Sequence, residues 1–166
     1  ELYNVDTVSL RYFNVYSEDQ TVDHAYATAI ANWMHHIKGD IKPFVNGDGE
    51  HRRDMVHVDD VVSANIFVAN YGKDFNGKVF DVGTGDNISL NEIVEIIHNS
   101  FPDVEFDYFD ARAGDVLMTK AIIEPLKELG WTAKIQIRDG IENCFRQLNQ
   151  FMKGAGRSKL RNTEYK

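Results

Sequence analysis

A chain of 166 residues with a formal net charge of −8 fits one domain, or at most two, and can bury a sizeable core without staples. The acidic balance argues against nucleic-acid binding, which needs clustered Lys and Arg to displace counterions, and no run approaches about 18 consecutive apolar residues, so no membrane span is expected. The single cysteine, Cys144, excludes an internal disulfide and fits a reducing, cytoplasmic setting; with Ile141, Phe145 and Leu148 it forms an apolar-periodic run and reads as a packed core thiol.

The chain opens on Glu1 rather than Met and enters strand-like sequence at once, so we expect no leader and a piece of a longer chain. Residues 5–16 contain VSLRYFNV, β-branched and aromatic enough for a strand. Residues 24–38 read as a helix with Ala25, Ile30, Trp33, Met34 and Ile37 on one apolar face, stopped by Gly39. A short strand follows at 41–45, then the turn Asn46-Gly47-Asp48-Gly49 and a strand at 53–58. Asp59 or Asp60 can cap a helix over 61–70. Residues 78–82 form a strand, Gly83-Thr84-Gly85 turns, and Ser89-x-x-Glu92 is a capping box opening a helix to about residue 99. A strand at 104–109 and helices at 121–130 and 137–151 complete the set. Strands alternating with helices predict α/β architecture over 1–152, followed by a basic, disordered tail at 153–166.

Several polar residues could carry chemistry. Arg53, Met55 and His57 share one face of a strand, and an Arg among apolar positions needs an anion: a phosphate, or a carboxylate such as Asp54. Arg112 and Asp115 lie in a Gly-containing loop after a strand, either as a phosphate clamp and a ribose-hydroxyl acceptor or as a surface salt bridge. Asn14 ends the first strand, where open α/β sheets bind ligands, and equally suits a turn. Phe44 could stack on a base or fill the core. Asp81-Val82-Gly83-Thr84-Gly85 does not continue as a dinucleotide fingerprint. His35 and His36 point apart on a helix and the other histidines lack zinc spacing, so no metal site is expected. There is no G-x-S-x-G nucleophile elbow.

Taken in order, these segments resemble one family. LRYFNVY (10–16), Ala25-Tyr26, Trp33, PFVNGDGE (43–50), RDMVHVDDVV (53–62) with Ala64-Asn65, VFDVGTG (79–85), Ser89-Leu90, Arg112-x-Gly114-Asp115 and Leu129-Gly130-Trp131 are similar to the extended short-chain dehydrogenases that act on nucleotide sugars, across about residues 5–150. The nearest likeness is to UDP-glucose and UDP-N-acetylglucosamine 4-epimerases. The resemblance implies the C-terminal, substrate-binding half of an NAD-dependent enzyme, including strands that would complete a Rossmann sheet. It implies that Arg53 and Arg112 grip a pyrophosphate, through charge-assisted bonds of roughly 1.5–3 kcal/mol each. Asp115 then takes the ribose, Asn14 donates to phosphate, and Phe44 and Asn46 surround the uracil. Thr28, Ala29, Trp33 and Leu90 line the substrate, and the small Thr119 leaves room for an acetamido group.

The same resemblance marks what differs. Ser17-Glu18-Asp19 stands where the family has Gly-Pro-Arg, Ala31 replaces its usual Pro, and the usual Asp near Ile122 is absent. The glycine-rich loop and Tyr-x-x-x-Lys precede this stretch in the family, and no Tyr here has Lys four residues later. The chain alone is therefore expected to bind no NAD, to hold no catalytic residue and to be inactive. Its exposed strand edges should drive self-association in the absence of the N-terminal Rossmann half. Half of a dehydratase or heptose epimerase, or a non-catalytic nucleotide-sugar binding or interaction module, are the alternatives.

Overall fold

The computed structural model describes residues 5–22 and 27–163, with side chains through residue 155. The expected first strand is two. β1 (Val8–Tyr12) pairs in parallel with β6 (Lys78–Val82), and β2 (Asn14–Tyr16) pairs in parallel with β5 (Met55–His57). The break falls at Phe13, whose N–H still reaches Val82 O at 3.0 Å, while the next N–H, from Asn14, already reaches Asp54 O at 3.2 Å. The chain is thus handed from one partner strand to another within two residues.

The strand expected at 53–58 also divides. β4 (Arg52–Arg53) pairs antiparallel with β7 (Ile88–Ser89), and β5 begins only after Asp54. Asp54 is fully buried, and its carboxylate accepts from Thr84 N–H and Oγ1–H (2.9 Å each), Gly85 N–H (3.0 Å) and Ala121 N–H (3.0 Å). Four donors on one carboxylate replace the hydration it loses on burial. The remaining pair is shorter than expected: β3 (Phe44–Asn46) runs parallel to β8 (Asp107–Phe109).

Among the described residues, five helices cover these pairs. α1 (Ala29–Lys38) is capped by Thr28, whose Oγ accepts from Ala31 N–H; residues 24–26 of the expected helix, with Ala25 and Tyr26, lie outside the described residues. α2 (Val58–Ala69) starts earlier than expected, because His57 Nδ1, not an aspartate, accepts from the first-turn N–H of Asp59. Asp60 instead turns inward and accepts from Lys134 and Ile135 N–H at 3.0 and 2.9 Å. α3 (Leu90–Ser100) opens with the expected Ser89/Glu92 capping box. α4 shrinks to Glu124–Glu128, since the N–H groups of residues 121 and 122 are spent on the Asp54 and Asp81 carboxylates and Pro125 marks the first turn. α5 (Ile137–Thr163) continues well past residue 151, so the backbone of 153–163 extends a helix where the sequence reading placed a disordered tail. The helix runs through two glycines, Gly154 and Gly156, with the helix formers Met152, Lys153 and Ala155 beside them.

The core has two parts. One packs α1, α3 and α5 together through Ile30, Trp33, Ile93, Ile97, Ile141 and Phe145, with Cys144 fully buried among them. The other packs α2 and α4 against β6 through Ala64, Phe80, Val82, Leu126 and Trp131. Replacing Asp54 with Ala leaves three buried backbone N–H groups without acceptors, at about 1–3 kcal/mol each. Urea unfolding should show a loss of about 3 kcal/mol or more, against about 1 kcal/mol for Ser89→Ala at the α3 cap. Equal losses for the two variants would remove Asp54 from the centre of the fold.

Candidate functional site

A cavity of about 490 Å³ opens where β2, β3 and β4 meet the first turns of α1 and α3. Ten of the eleven residues singled out in the sequence line it. Asn14 comes from the start of β2, Thr28, Ala29 and Trp33 from the cap and face of α1, and Phe44 and Asn46 from β3. Arg53 comes from β4, Leu90 from the start of α3, and Arg112 and Asp115 from the loop after β8. Thr119 lies outside that lining: its Oγ accepts from Asp54 N–H at 3.3 Å. Asn14 Nδ2 donates to the carbonyl of the same residue at 3.0 Å, so Thr119 and Asn14 hold the two backbone polar groups of Asp54.

The charged groups fall into two clusters. Arg53 is paired with Asp115, Nη2 to Oδ1 at 2.6 Å, and not with the neighbouring Asp54, whose carboxylate is already filled. The Arg53 side chain is 17% exposed, so this pair is partly shielded from water. His51 Nδ1 stands 3.4 Å from the other Asp115 oxygen. The Arg112 guanidinium is not paired with the Asp115 carboxylate, although Asp115 N–H donates to Arg112 O at 3.2 Å; with the Asn46 amide oxygen turned toward the guanidinium, its Nε and Nη2 lie 3.3 and 3.1 Å from that oxygen. Two guanidinium groups and one carboxylate give the cavity a local excess of positive charge in a chain of net charge −8.

The other walls are apolar and aromatic. Trp33 Nε1 donates to Phe44 O at 2.8 Å, which ties α1 to β3. The Phe44 ring sits between His36 and Phe109, with centroids 5.8 and 5.5 Å away. Sequence reasoning passed over Asn32, His36 and His51, which also line the cavity. Residues 28, 29, 32, 33 and 36 follow the spacing of one helix face, and His51 stands two positions before Arg53; either signal could have found them.

The matched family model is the NAD dependent epimerase/dehydratase family, over residues 1–83, half of the chain. The chain belongs to this family. A UDP-glucose 4-epimerase from Mycolicibacterium smegmatis is 32% identical over 143 residues, covering 84% of this chain and 44% of its own length. A UDP-glucose 4-epimerase from Thermotoga maritima, solved with UDP-glucose, superposes with a TM-score of 0.78 at 30% identity, over 92% of this chain and 48% of that one. A UDP-N-acetylglucosamine 4-epimerase from Methanobrevibacter ruminantium M1, solved with UDP-N-acetylmuramic acid, gives 0.77 at 29% identity and the same coverage. The chain therefore spans about half the length of the epimerases it matches, and the fold is the α/β fold of their C-terminal part.

His36 offers a direct probe of the cavity. Burial first, and the neighbouring His35 charge second, hold its imidazole below the ordinary histidine value of about 6.5. Its buried Nδ1 has no hydrogen-bond partner. A histidine ring titration by NMR should put its midpoint below that value. The unfolded chain then binds the proton at higher pH than the folded one, so stability falls as pH drops below about 6.5 until the folded midpoint is passed. A midpoint at or above 6.5 would place the ring in water.

Proposed function

We propose that the cavity binds a nucleoside-diphosphate sugar, a UDP-sugar by preference, and that this chain is the substrate half of an NAD-dependent UDP-sugar 4-epimerase. The observation that carries this reading is that Arg53 and Arg112, 59 positions apart in the sequence, face one cavity beside Asp115 and Asn14. The UDP-sugar ligands of the two superposed epimerases support it.

The chemistry of binding follows from the contacts. A diphosphate is a stronger anion for Arg53 than the single Asp115 carboxylate, and exchange of the two keeps the guanidinium paired throughout. Asp115, released, is free to accept from ribose hydroxyls. Arg112 reaches the same anion from the opposite wall, and Asn14 has a second amide N–H to offer. The Phe44 ring gives the base a face to stack on, and the Asn46 amide supplies hydrogen-bonding groups at its edge. Thr119, outside the cavity lining and bonded to Asp54 N–H, is small, and that size is what would leave room for an acetamido substituent on the sugar.

In the intact enzyme, NAD held by the other half would supply the reversible redox chemistry at the sugar C4 that a 4-epimerisation requires. This chain's part is to hold the nucleotide while the sugar turns. The NAD half docks on the exposed side of β1 and β6 and on the outer face of α2, where Tyr12, Val79, Val62 and Ile66 are open to solvent. Without that half, the same edges pair with one another. A sedimentation dilution series should show association that reverses on dilution; a clean monomer throughout would count against this docking surface.

Calorimetry with UDP, ADP and dTDP tests the ligand class, with UDP expected to bind tightest. Arg53→Ala and Arg112→Ala should each weaken binding at least tenfold, the loss of one charge-assisted contact. Unchanged affinity in both would return the two arginines to a structural role. A full-length enzyme that turns over UDP-glucose but rejects UDP-N-acetylglucosamine would sink the part assigned to Thr119.

A further inference from the structure

The loop after β2 carries a second group of reactive side chains, away from the cavity. Glu18 Oε2 lies 3.3 Å from His57 Nε2, and a carboxylate oxygen of Glu18, a ring nitrogen of His57 and Cys144 Sγ all lie within 4.8 Å of one another. The three residues come from separate elements: the loop 17–19, the end of β5 and the middle of α5. His57 and Cys144 are buried, and a cleft of about 350 Å³ lined by Glu18, His57, Gly140 and Asn143 opens onto the group. Beside it stands an unsatisfied polar atom. Tyr16 is 1% exposed, its hydroxyl has no hydrogen-bond partner, and its ring meets His57 edge-on with centroids 5.3 Å apart. The Tyr16 hydroxyl lies against Gly140 on the wall of the cleft, where an added Cβ would collide with it.

We propose that Glu18 Oε2, His57 Nε2 and Cys144 Sγ form a zinc site, with a water on the cleft side as fourth ligand and as the partner of the Tyr16 hydroxyl. The donor set of thiolate, imidazole and carboxylate suits Zn²⁺. Tetrahedral bonds of about 2.0–2.1 Å put N and O ligands about 3.3 Å apart, which is the spacing Glu18 and His57 already hold. The sulfur edge is about 3.6 Å, so from a separation of up to 4.8 Å Sγ has to close by as much as about 1.2 Å. The outer contacts are in place. Asn143 and Gln147 amides donate to Glu18 Oε1 at 3.3 and 3.1 Å and leave Oε2 for the metal. Asp59 Oδ2, 3.6 Å from His57 Nδ1, can accept a proton there.

Binding moves two protons. The Cys144 thiol loses one to solvent, and the imidazole proton shifts from Nε2, where it faces Glu18, to Nδ1, where it gives up the Asp59 N–H it now accepts and faces the Asp59 carboxylate instead. One thiolate and one carboxylate then balance the dication. Without a cation the thiol stays protonated and inert: burial, and second the Glu18 charge, push it up to about 12. Binding would exchange the His57 cap of α2 for the metal, which would fasten the 17–19 loop, the end of β5 and α5 together at one point.

Titration of the chain with Co²⁺ tests the site, since cobalt takes zinc positions and reports a thiolate ligand by a charge-transfer band. The expected result is one ion per chain with that band, displaced by Zn²⁺, absent in Cys144→Ser and with affinity at least tenfold weaker in Glu18→Gln. Thermal unfolding in chelator checks that the variants fold; Glu18 is on a surface loop, so its variant tests the site even where Cys144→Ser does not fold. Uptake without the band, a band that persists in Cys144→Ser, or unchanged affinity in Glu18→Gln would each overturn the site. None of these outcomes depends on nucleotide binding.

Discussion

The carboxylate of Asp54 is the constraint on which the rest of the molecule turns. It accepts from the 84–85 turn and from Ala121, while its own N–H and C=O are held by Thr119 and by Asn14. Three segments of the cavity wall therefore meet at one residue: β2 with Asn14, β4 with Arg53, and the chain that returns from the Arg112–Asp115 loop. The packing is tight enough to dictate a neighbour, because a Cβ at Gly83 would fall 2.5 Å from Ala121 Cβ and 2.9 Å from Asp54 Oδ2. A buried acid without a countercharge is tolerable here only because backbone donors converge on it, and those donors fix the segments they belong to.

That arrangement explains how an acidic chain can present a positive cavity. Net charge acts at the distance of a Debye length or more, whereas a partly buried guanidinium is felt within a few ångströms and is screened little. Arg53 and Arg112 each have a local partner, Asp115 and Asn46, which holds the side chain in place. Preorganised charge of this kind costs little reordering on binding.

The sequence made much of this readable, and its failures have physical causes. Local signals were reliable where the chemistry is local: the Ser89/Glu92 box, the α1 apolar face, and the β6 strand that ends in a glycine turn. They failed where a long-range contact overrides the pattern. Nothing in VSLRYFNV announces a change of partner at Phe13, since the break is set by the carbonyls of Val82 and Asp54, about 70 and 40 residues away in sequence. The aspartates at 59–60 looked like a cap, but a histidine one turn earlier took that place and Asp60 went inward to residues 134 and 135. The cavity residues were visible as an ordered set through family likeness, because no single one carries a distinctive spacing. The Arg53–Asp115 pair was not visible, since Asp54 is the nearer carboxylate in sequence and is unavailable in space.

The strand pairs carry the same lesson one level up. Among the described residues each sheet has two strands, and three of the four pairs are parallel. Isolated two-stranded pairs are marginal in water, and parallel strands are normally buried on both faces. β1 nevertheless leaves Tyr12 open to solvent and β6 leaves Val79 open, although each strand has an apolar run suited to a sheet interior. The cavity shows no such deficit: its walls are held by the core of α1, α3 and α5 and by Asp54. The cavity side stands on its own contacts, while the β1–β6 edge keeps apolar side chains open to solvent.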